Sequence, residues 1–364
     1  MINNELLSRA ESASFALRSL YKQYGYLPFR MSKFEEYDLY AKNKEFLISE
    51  NVITFNDTDG RLLALKPDVT LSIIKNSAHT VGEKQKVYYN ENVYRISPKV
   101  HKFKEIMQAG LECIGDTDIM DTFEAVELAA KSLELISEDY VLDVSHLGIL
   151  SRVLSYSSEN KQFGERAIGL LAEKNRHELS SLCESYGVSD PARETVLEFV
   201  DMYGEPSEVL ERLLPICKRV GAEELFSELK LLCTLIADTG YASKIELDFS
   251  VVNNMKYYNG IVFKGFIKGI PDGVLAGGEY GNLMQRMGKD AGAVGFAIYL
   301  DMLDELSAKS REYDVDVLLL YGDTTDPKTL AHKRAELISE GRSVSAMKAV
   351  PEKLRYKEII KLDK

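Results

Sequence analysis

Two sets of residues in this sequence have the types, but not the spacing, for metal or phosphate chemistry. The four cysteines, Cys113, Cys183, Cys217 and Cys233, form no CxxC pair of the kind that binds zinc. In a chain of this size we expect them to be reduced thiols in the core of a cytoplasmic protein. The glycine-rich stretch at 277–281 lacks the GxGxxG spacing and an acidic residue on a following strand. The sequence therefore predicts neither a metal site nor a dinucleotide loop.

Acidic and aromatic side chains form a further set of candidates. Asp68 follows Pro67 where a helix is predicted to begin, a position at which free backbone N–H groups stabilise an acidic side chain. Tyr257 and Tyr258 stand side by side ahead of an apolar run. Taken alone, each is an ordinary helix cap or strand residue, so its meaning depends on the elements around it.

Apolar periodicity and turn residues predict the elements of the first part of the chain. Residues 5–24 have helical spacing and are followed by Gly25. The other expected elements are a hairpin over 52–65 around a D-T-D-G turn, a helix after Pro67, a long antiparallel hairpin of 86–94 and 107–115, a helix over 121–137 and a strand over 141–146.

Helical periodicity then continues from about 150 to 240, after which strands resume and a glycine-rich turn near 277 leads into a helix. The segment AGAVGFAIYLDMLDEL predicts a strand or a glycine turn that leads into a last helix. This order predicts an α+β fold with a mainly antiparallel sheet, because a Rossmann fold would alternate strands and helices. We expect one domain over 1–311, with a helical insertion at about 150–240. A short α/β segment over 312–364 should contain a strand, a helix and a second strand.

Composition limits the classes of partner. Hydrophobic residues make up 45% and charged residues 28% of the chain, as in ordinary globular proteins. No apolar stretch approaches the roughly 20 residues of a membrane span, and the first residues do not resemble a secretion signal. The net charge is −12, and no long basic stripe occurs in the first 310 residues. Because phosphate neutralisation dominates nucleic-acid affinity, these features disfavour a nucleic-acid-binding protein.

Four segments, in order, resemble the catalytic core of class II aminoacyl-tRNA synthetases, specifically the histidyl-tRNA synthetase family, over about residues 5–308. They read FEEYDLY with ITFNDTDGRLLALKPDVT, VYRISPKVHKFKEIMQAGLECIG, MKYYNGIVFKGF, and GGEYGNLMQRMG with AVGFAIYLDML. The second is similar to the family's motif 2 hairpin, the third to its histidine-contacting segment and the fourth to its motif 3. The resemblance implies an antiparallel sheet flanked by helices, and a C-terminal α/β unit that is truncated relative to the family's anticodon-binding domain.

The resemblance also implies a histidine pocket, in which acids hold the ammonium, a base holds the carboxylate, and acceptors or hydroxyls hold the imidazole. At the matching positions, Asp68, Thr70 and Gln108 are expected to hold the ammonium. Glu112 and Tyr257, with the adjacent Tyr258, are expected to hold the imidazole. Arg95 is at the position of the motif 2 arginine, which binds the carboxylate and also the ATP α-phosphate in the family. Their joint placement on matching motifs outweighs the ordinary interpretation of each residue alone.

Three positions depart from the family pattern. Asn253 stands where the family has the arginine of R-G-x-D-Y-Y, and Met302 stands where motif 3 has its ATP-clamping arginine. Fixed cations at a reacting phosphoryl group contribute orders of magnitude in rate, so these changes imply that no adenylate is formed. Ser32 replaces the motif 1 proline, which implies altered dimer contacts.

With these departures and the short C-terminal segment, the chain resembles the regulatory subunits of ATP phosphoribosyltransferase, a histidyl-synthetase-like family. That resemblance implies a non-catalytic subunit without a cofactor, required for the first step of histidine biosynthesis and for its feedback control by free histidine. It implies a homodimeric core that joins short catalytic phosphoribosyltransferase subunits in a hetero-octamer, with no membrane or tRNA partner. Two alternatives stay open: an active histidyl-tRNA synthetase, and an amino-acid-binding paralogue without this partner.

Overall fold

The computed structural model describes residues 7–47, 51–77, 82–96, 102–252, 257–307 and 313–362. The chain divides into two compact units, Met1–Glu305 and Leu306–Lys364. The expected boundary between residues 311 and 312 lies outside the described residues.

Helices and strands of the first unit occur in mixed order, as expected for an α+β fold. The α-helices are α1 Arg9–Gln23, α2 Tyr37–Lys42, α3 Thr70–Asn76, α4 Ile119–Ile136, α5 Leu147–Ser157, α6 Lys161–Ala172, α7 Arg176–Ser185, α8 Asp190–Glu198, α9 Pro206–Val220, α10 Glu223–Ala237 and α11 Gly281–Arg286. The strands are β1 Leu27–Pro28, β2 Phe34–Glu36, β3 Thr54–Asn56, β4 Leu62–Leu65, β5 Lys84–Ile96, β6 Phe103–Gly115, β7 Tyr140–His146, β8 Tyr203–Gly204, β9 Ile245–Asp248, β10 Ile261–Ile267, β11 Leu275–Glu279 and β12 Gly292–Tyr299.

Nine strands form the main sheet, in the order β1-β5-β6-β12-β11-β10-β7-β9-β8. Neighbouring strands are antiparallel except in the pairs β1–β5 and β7–β9, which confirms the expected mainly antiparallel sheet. The expected long hairpin is β5–β6, paired without interruption from Lys84 opposite Gly115 to Ile96 opposite Phe103. Six helices, α5 to α10, lie between β7 and β9 in the chain, where the helical insertion was expected.

A small antiparallel sheet, β2-β4-β3, contains the expected D-T-D-G hairpin. Asp57 accepts hydrogen bonds from the backbone N–H groups of Asp59 and Arg61, at 2.9 and 2.8 Å. Gly60 has a φ of +81°, a left-handed conformation that favours glycine. The local turn chemistry therefore accounts for this hairpin.

Several elements differ from the sequence expectation. Helix α1 begins at Arg9 and not at residue 5, because Ser8 caps it in a capping box with Glu11. Helix α4 begins at Ile119, before the expected residue 121, because Asp118 caps it by accepting from two backbone N–H groups. Gly277 and Gly278 lie within strand β11 and not in a turn: a Cβ at Gly277 would come within 2.4 Å of the Phe296 Cβ on β12, so glycine is needed for close strand packing. The expected last helix of the domain is a 3₁₀ helix, Leu300–Ser307.

Helices α1 and α4 pack on one face of the main sheet. The Tyr21 ring on α1 lies 6.0 Å from the Phe296 ring on β12, and the Tyr21 hydroxyl hydrogen-bonds to Ser132 on α4 at 3.1 Å. Because strand side chains alternate between faces, the residues next to Phe296, such as Gly295, face the other side of the sheet. The candidate site lies on that second face.

The second unit has a three-stranded parallel sheet in the order β14-β13-β15, with one helix. Its elements are β13 Val315–Leu320, α12 Pro327–Ser339, β14 Val344–Met347 and β15 Tyr356–Lys361. The first three match the expected strand, helix and strand. Sequence reasoning missed β15, in which charged residues interrupt the apolar run.

Candidate functional site

All seven residues expected to bind histidine line one cavity of about 320 Å³. The cavity is bounded by the start of α3, by β5 and β6, and by the segment before β10. Asp68 and Thr70 lie at the start of α3, and Arg95 lies on β5. Gln108 and Glu112 lie on β6, and Tyr257 and Tyr258 precede β10. Residues far apart in sequence therefore meet at one place, which agrees with their joint assignment. The roles assigned to them within the pocket stay predictions.

Strand register explains why these side chains share a face. Gln108 and Glu112 are four residues apart on β6, so both point to the same side of the sheet. Gly295 on β12 lies directly opposite Glu112. A Cβ at Gly295 would come within 1.8 Å of Glu112 Oε2, so the absence of a side chain there makes room for the carboxylate.

Glu112 is the buried acid at the centre of the cavity, with only 2% of its surface exposed. Thr70 donates a hydrogen bond to Oε1 at 2.7 Å, and Tyr280 donates one to Oε2 at 2.6 Å. Burial raises the pKa of Glu112 to about 8, against the opposing effect of the two hydrogen bonds, and nearby Asp68 raises it further. A ligand that supplies a positive charge or an N–H donor here would favour the ionised form.

Asp68 and Arg95 form a second charged group beside Glu112. Asp68 Oδ1 accepts from the backbone N–H of Leu71 at 2.9 Å, so it does cap α3, and its Oδ2 lies 3.5 Å from an Arg95 nitrogen. Burial raises the pKa of Asp68, and Arg95 opposes that increase. Arg95 Nε also donates to the Pro67 carbonyl at 2.6 Å. The guanidinium is therefore already bonded to the segment that begins α3.

Aromatic rings form a wall of the cavity. The Tyr257 ring centroid lies 4.7 Å from that of Tyr258 and 5.7 Å from that of Tyr280, with tilted planes. Burial raises the pKa of all three phenols well above 10, so they stay neutral hydrogen-bond donors at physiological pH. Tilted aromatic faces near carboxylates suit a flat ring with polar or cationic edges.

Sequence reasoning missed several polar residues that also line the cavity. They are Tyr89, Lys264, Asp272, Tyr280 and Tyr299. Tyr280 and Lys264 lie inside the segments that carry the resemblance, GGEYGNL and VFKGF, so the signal was present. What was missing was the strand register, which brings β10, β11 and β12 beside β6.

Lys289 supports the helix that carries Thr70. Its ammonium donates to the carbonyls of Ile74 and Ser77 and, at 2.8 Å, to the Ser77 hydroxyl, at the C-terminal end of α3. Its backbone N–H donates to Met284 O on α11 at 3.0 Å. The ammonium adds a charged donor to the Ile74 carbonyl, which also accepts from the Ser77 N–H and hydroxyl, and it bonds the Ser77 carbonyl beyond the helix end. It thereby connects α3 to the chain that follows α11.

The two synthetase arginine positions have different outcomes. Asn253 lies outside the described residues. Met302 is half-buried in the 3₁₀ helix Leu300–Ser307, next to Asp301, which binds Lys104 at 3.1 Å. A methionine thioether carries no positive charge, so it cannot pair with a triphosphate.

The described residues contain neither a metal-binding cluster nor a membrane-spanning helix. No cluster of three or more histidine, cysteine or acidic side chains in them could hold a metal ion. The four cysteines are free and buried. Every described helix is too short or too polar to cross a lipid bilayer.

Comparison with known proteins gives consistent matches. A family model described as histidyl-tRNA synthetase matches residues 3–303. The ATP phosphoribosyltransferase regulatory subunit of Thermoanaerobacter sp. (strain X514) is 30% identical over 345 residues, covering 90% of this chain and 87% of that protein. The protein of the same name from Oceanobacillus iheyensis is 27% identical over 290 residues, covering 79% and 71%.

Two solved structures share the fold. An ATP phosphoribosyltransferase regulatory subunit/histidyl-tRNA synthetase from Bacillus halodurans C has a TM-score of 0.75 at 20% identity, covering 99% of this chain and 96% of that chain. A chain of the ATP phosphoribosyl transferase (HisG:HisZ) complex from Thermotoga maritima has a TM-score of 0.62 at 20% identity, covering 80% and 97%. The antiparallel sheet, the cavity and these matches together show that the chain belongs to the histidyl-tRNA synthetase family, among the members named ATP phosphoribosyltransferase regulatory subunits.

Proposed function

We propose that this chain is a non-catalytic regulatory subunit of ATP phosphoribosyltransferase, acting in the cytoplasm in the first step of histidine biosynthesis. One observation carries the proposal: relatives with this name match most of both chains, one of them at 30% identity over 90% of this chain. Regulation requires a ligand that interacts differently with two states of the complex. The cavity around Glu112 is the candidate for that ligand.

The absence of synthetase chemistry is supported by Met302. By the resemblance, it occupies the position of an arginine that holds ATP in histidyl-tRNA synthetases. A charge-assisted bond from arginine to phosphate is among the strongest that a protein makes, and methionine cannot replace it. We therefore expect the isolated chain to form no histidyl-adenylate. Histidine-dependent pyrophosphate–ATP exchange above background would instead favour an active histidyl-tRNA synthetase.

Free histidine is the proposed effector. Both oxygens of Glu112 accept hydrogen bonds from fixed hydroxyls, so this carboxylate is held as an acceptor for an imidazole N–H. Tyr257 and Tyr258 lie beside it as the aromatic wall. Asp68, with Thr70 and Gln108, is proposed to receive the ammonium. The polar side chains of Asp68, Thr70, Gln108 and Glu112 are buried, so an amino acid that satisfies them gains selectivity over one that leaves them unpaired.

The proposed partner is the short catalytic phosphoribosyltransferase subunit. Support comes from the fold shared with a chain of the Thermotoga maritima complex. We expect a homodimeric core that adds catalytic subunits to form a hetero-octamer, since closed symmetry is the rule for such assemblies. Neither a tRNA nor a membrane is expected as a partner.

The test mixes this chain with the short catalytic subunit of the same organism. Size-exclusion chromatography with light scattering should reveal one larger species. Phosphoribosyl transfer from phosphoribosyl pyrophosphate to ATP should increase with its formation, and histidine should inhibit the complex. The Glu112→Gln variant is the matched control: it should assemble and activate like the wild type but respond less to histidine. Separate elution at micromolar concentration, with an unchanged catalytic rate, would refute the regulatory role and favour an amino-acid-binding paralogue.

A further inference from the structure

The cavity extends beyond the residues assigned to histidine, across the sheet to Lys264 on β10. Lys264 lies opposite Ala276 on β11, Ala276 lies opposite Ala297 on β12, and Ala297 lies opposite Gly110 on β6. Three strand spacings place Lys264 about 14 Å from Gly110 at the level of the backbone. The strand positions between them carry alanine, so the floor of the cavity is low and leaves space above it for a ligand.

The Lys264 side chain is held in position but forms no ion pair with the described residues. Its stem lies over Gly273, where a Cβ would come within 2.3 Å of the lysine Cε. Its ammonium lies 5.1 Å from the centre of the Phe266 ring. Asp143 on β7 lies directly opposite Lys264 in the strand pairing. Burial raises the pKa of Asp143 to about 7, against the opposing effect of Lys174 and Lys264. A half-buried lysine that lines a cavity and forms no ion pair with the described residues is suited to an anionic ligand group.

The opposite end of the cavity is a poor place for a second anion. Asp68 and Glu112 are both there, and Arg95 is already bonded to Asp68 and to the Pro67 carbonyl. A ligand carboxylate at that end would meet two buried acids. At the Lys264 end, the acid that also lines the cavity, Asp272, is exposed to solvent, which screens its charge.

We infer that Lys264 binds the carboxylate of the amino-acid ligand, which lies across the sheet with its cationic and N–H groups at Asp68 and Glu112. This inference rests on the proposed function, because it assumes that the cavity holds a free amino acid. It reassigns the carboxylate from Arg95, where the sequence resemblance had put it. Lys264 is then the residue that selects an amino acid over its uncharged derivatives.

Isothermal titration calorimetry with L-histidine and L-histidinamide tests this assignment, since the amide lacks the negative charge. Lys264→Met should raise the Kd for histidine about ten- to a hundredfold, the loss of a charged hydrogen bond, and leave the Kd for histidinamide unchanged. Lys264→Arg should keep most of the affinity for histidine. Lys268→Met is the matched control, because Lys268 is an exposed lysine just beyond β10, and it should bind both ligands like the wild type.

Two results would overturn the assignment while leaving the histidine pocket in place. One is an equal loss of affinity for histidine and histidinamide in Lys264→Met, which would mean that the lysine only maintains the cavity. The other is no loss for either ligand. A wild type that binds neither ligand would overturn the histidine pocket as well, whereas assembly with the catalytic subunit is measured separately and would be unaffected.

Discussion

Adding one methyl group at Gly295 should disrupt the candidate site from its floor. In Gly295→Ala, the new Cβ would come within 1.8 Å of Glu112 Oε2 and 2.4 Å of the Leu111 carbonyl oxygen. The first contact could be relieved by moving the Glu112 side chain, which would break its hydrogen bonds to Thr70 and Tyr280. The second involves the backbone of β6, so β6 and β12 would have to separate.

The expected loss in the free energy of unfolding has two causes, the overpacking between β6 and β12 and the broken hydrogen bonds of Glu112. Overpacking in a closed interior typically costs about 1–3 kcal/mol, and each broken hydrogen bond to a buried carboxyl group can add about 1 kcal/mol. For a domain of this size roughly 2 °C of melting temperature is lost per kcal/mol, so the Gly295→Ala variant should melt several degrees below the wild type. Its affinity for histidine should fall at least tenfold, because Glu112 can no longer lie where the ligand needs it.

The same substitution at Gly169 is the control. Gly169 lies in helix α6, and a Cβ there meets no atom within 4 Å. Alanine is favoured over glycine in a helix by about 0.5–1 kcal/mol, so Gly169→Ala should raise the melting temperature slightly and leave histidine binding unchanged. Differential scanning fluorimetry and calorimetric titration of the two variants provide the comparison. Wild-type stability and affinity in Gly295→Ala would refute the described contact between β12 and Glu112.

Three further predictions concern the acid and its support. Because the pKa of Glu112 rises from 4.5 to about 8 on folding, its contribution to stability is fully present below about pH 4.5 and is lost as the pH rises to 8. In urea unfolding across this range, the free energy of unfolding should therefore change less with pH in Glu112→Gln than in the wild type. An unchanged pH dependence would assign the effect to another group, for example Asp143. Millimolar histidine should raise the melting temperature of the wild type by mass action, with a smaller shift in Glu112→Ala; equal shifts would move the effector site elsewhere. Lys289→Met should destabilise the protein by about 1–3 kcal/mol, because it removes the charged hydrogen bonds from the ammonium to the Ile74 and Ser77 carbonyls, and it should weaken histidine binding without altering a cavity-lining residue. Unaltered binding would mean that α3 holds its position without this lysine.

Local sequence signals were sufficient for elements whose cause is local. The hairpin at Asp57–Gly60 follows from side chains within four residues of the turn. The capping box of Ser8 and Glu11 is equally local, but it was overlooked, and α1 begins at Arg9 and not at the expected residue 5. The error at Gly277 and Gly278 has the opposite cause. Glycine pairs usually indicate turns, but here the determining contact comes from Phe296 on a neighbouring strand, which periodicity cannot reveal.

The residues of the candidate site also fall into those that the sequence identified and those that depend on tertiary structure. Asp68, Glu112 and Tyr257 could be named because they lie on recognisable motifs, and the structure brings them to one cavity. Lys264 and Tyr280 also lie on these motifs, but they were not named, because only the arrangement of the strands shows that they reach the cavity. Arg95 was found, but its bonds to Pro67 and Asp68 depend on tertiary geometry that its motif does not report.

The contacts around Glu112 form a closed ring with consequences for motion. Glu112 accepts a hydrogen bond from Thr70 at the start of α3, and Lys289 donates to the Ser77 carbonyl at the end of that helix. The Lys289 backbone N–H donates to Met284 on α11, and Tyr280, just before α11, donates to Glu112. Opening any one link exposes the others, so the amides of α3 and α11 should exchange with deuterium as one cooperative unit. A ligand that adds a bond at Glu112 should slow exchange in both helices by the same factor. Ligand binding in the cavity would then stabilise two separate segments of the chain, α3 and α11, together. A regulatory subunit could use such a coupled change to transmit ligand binding to a neighbouring subunit.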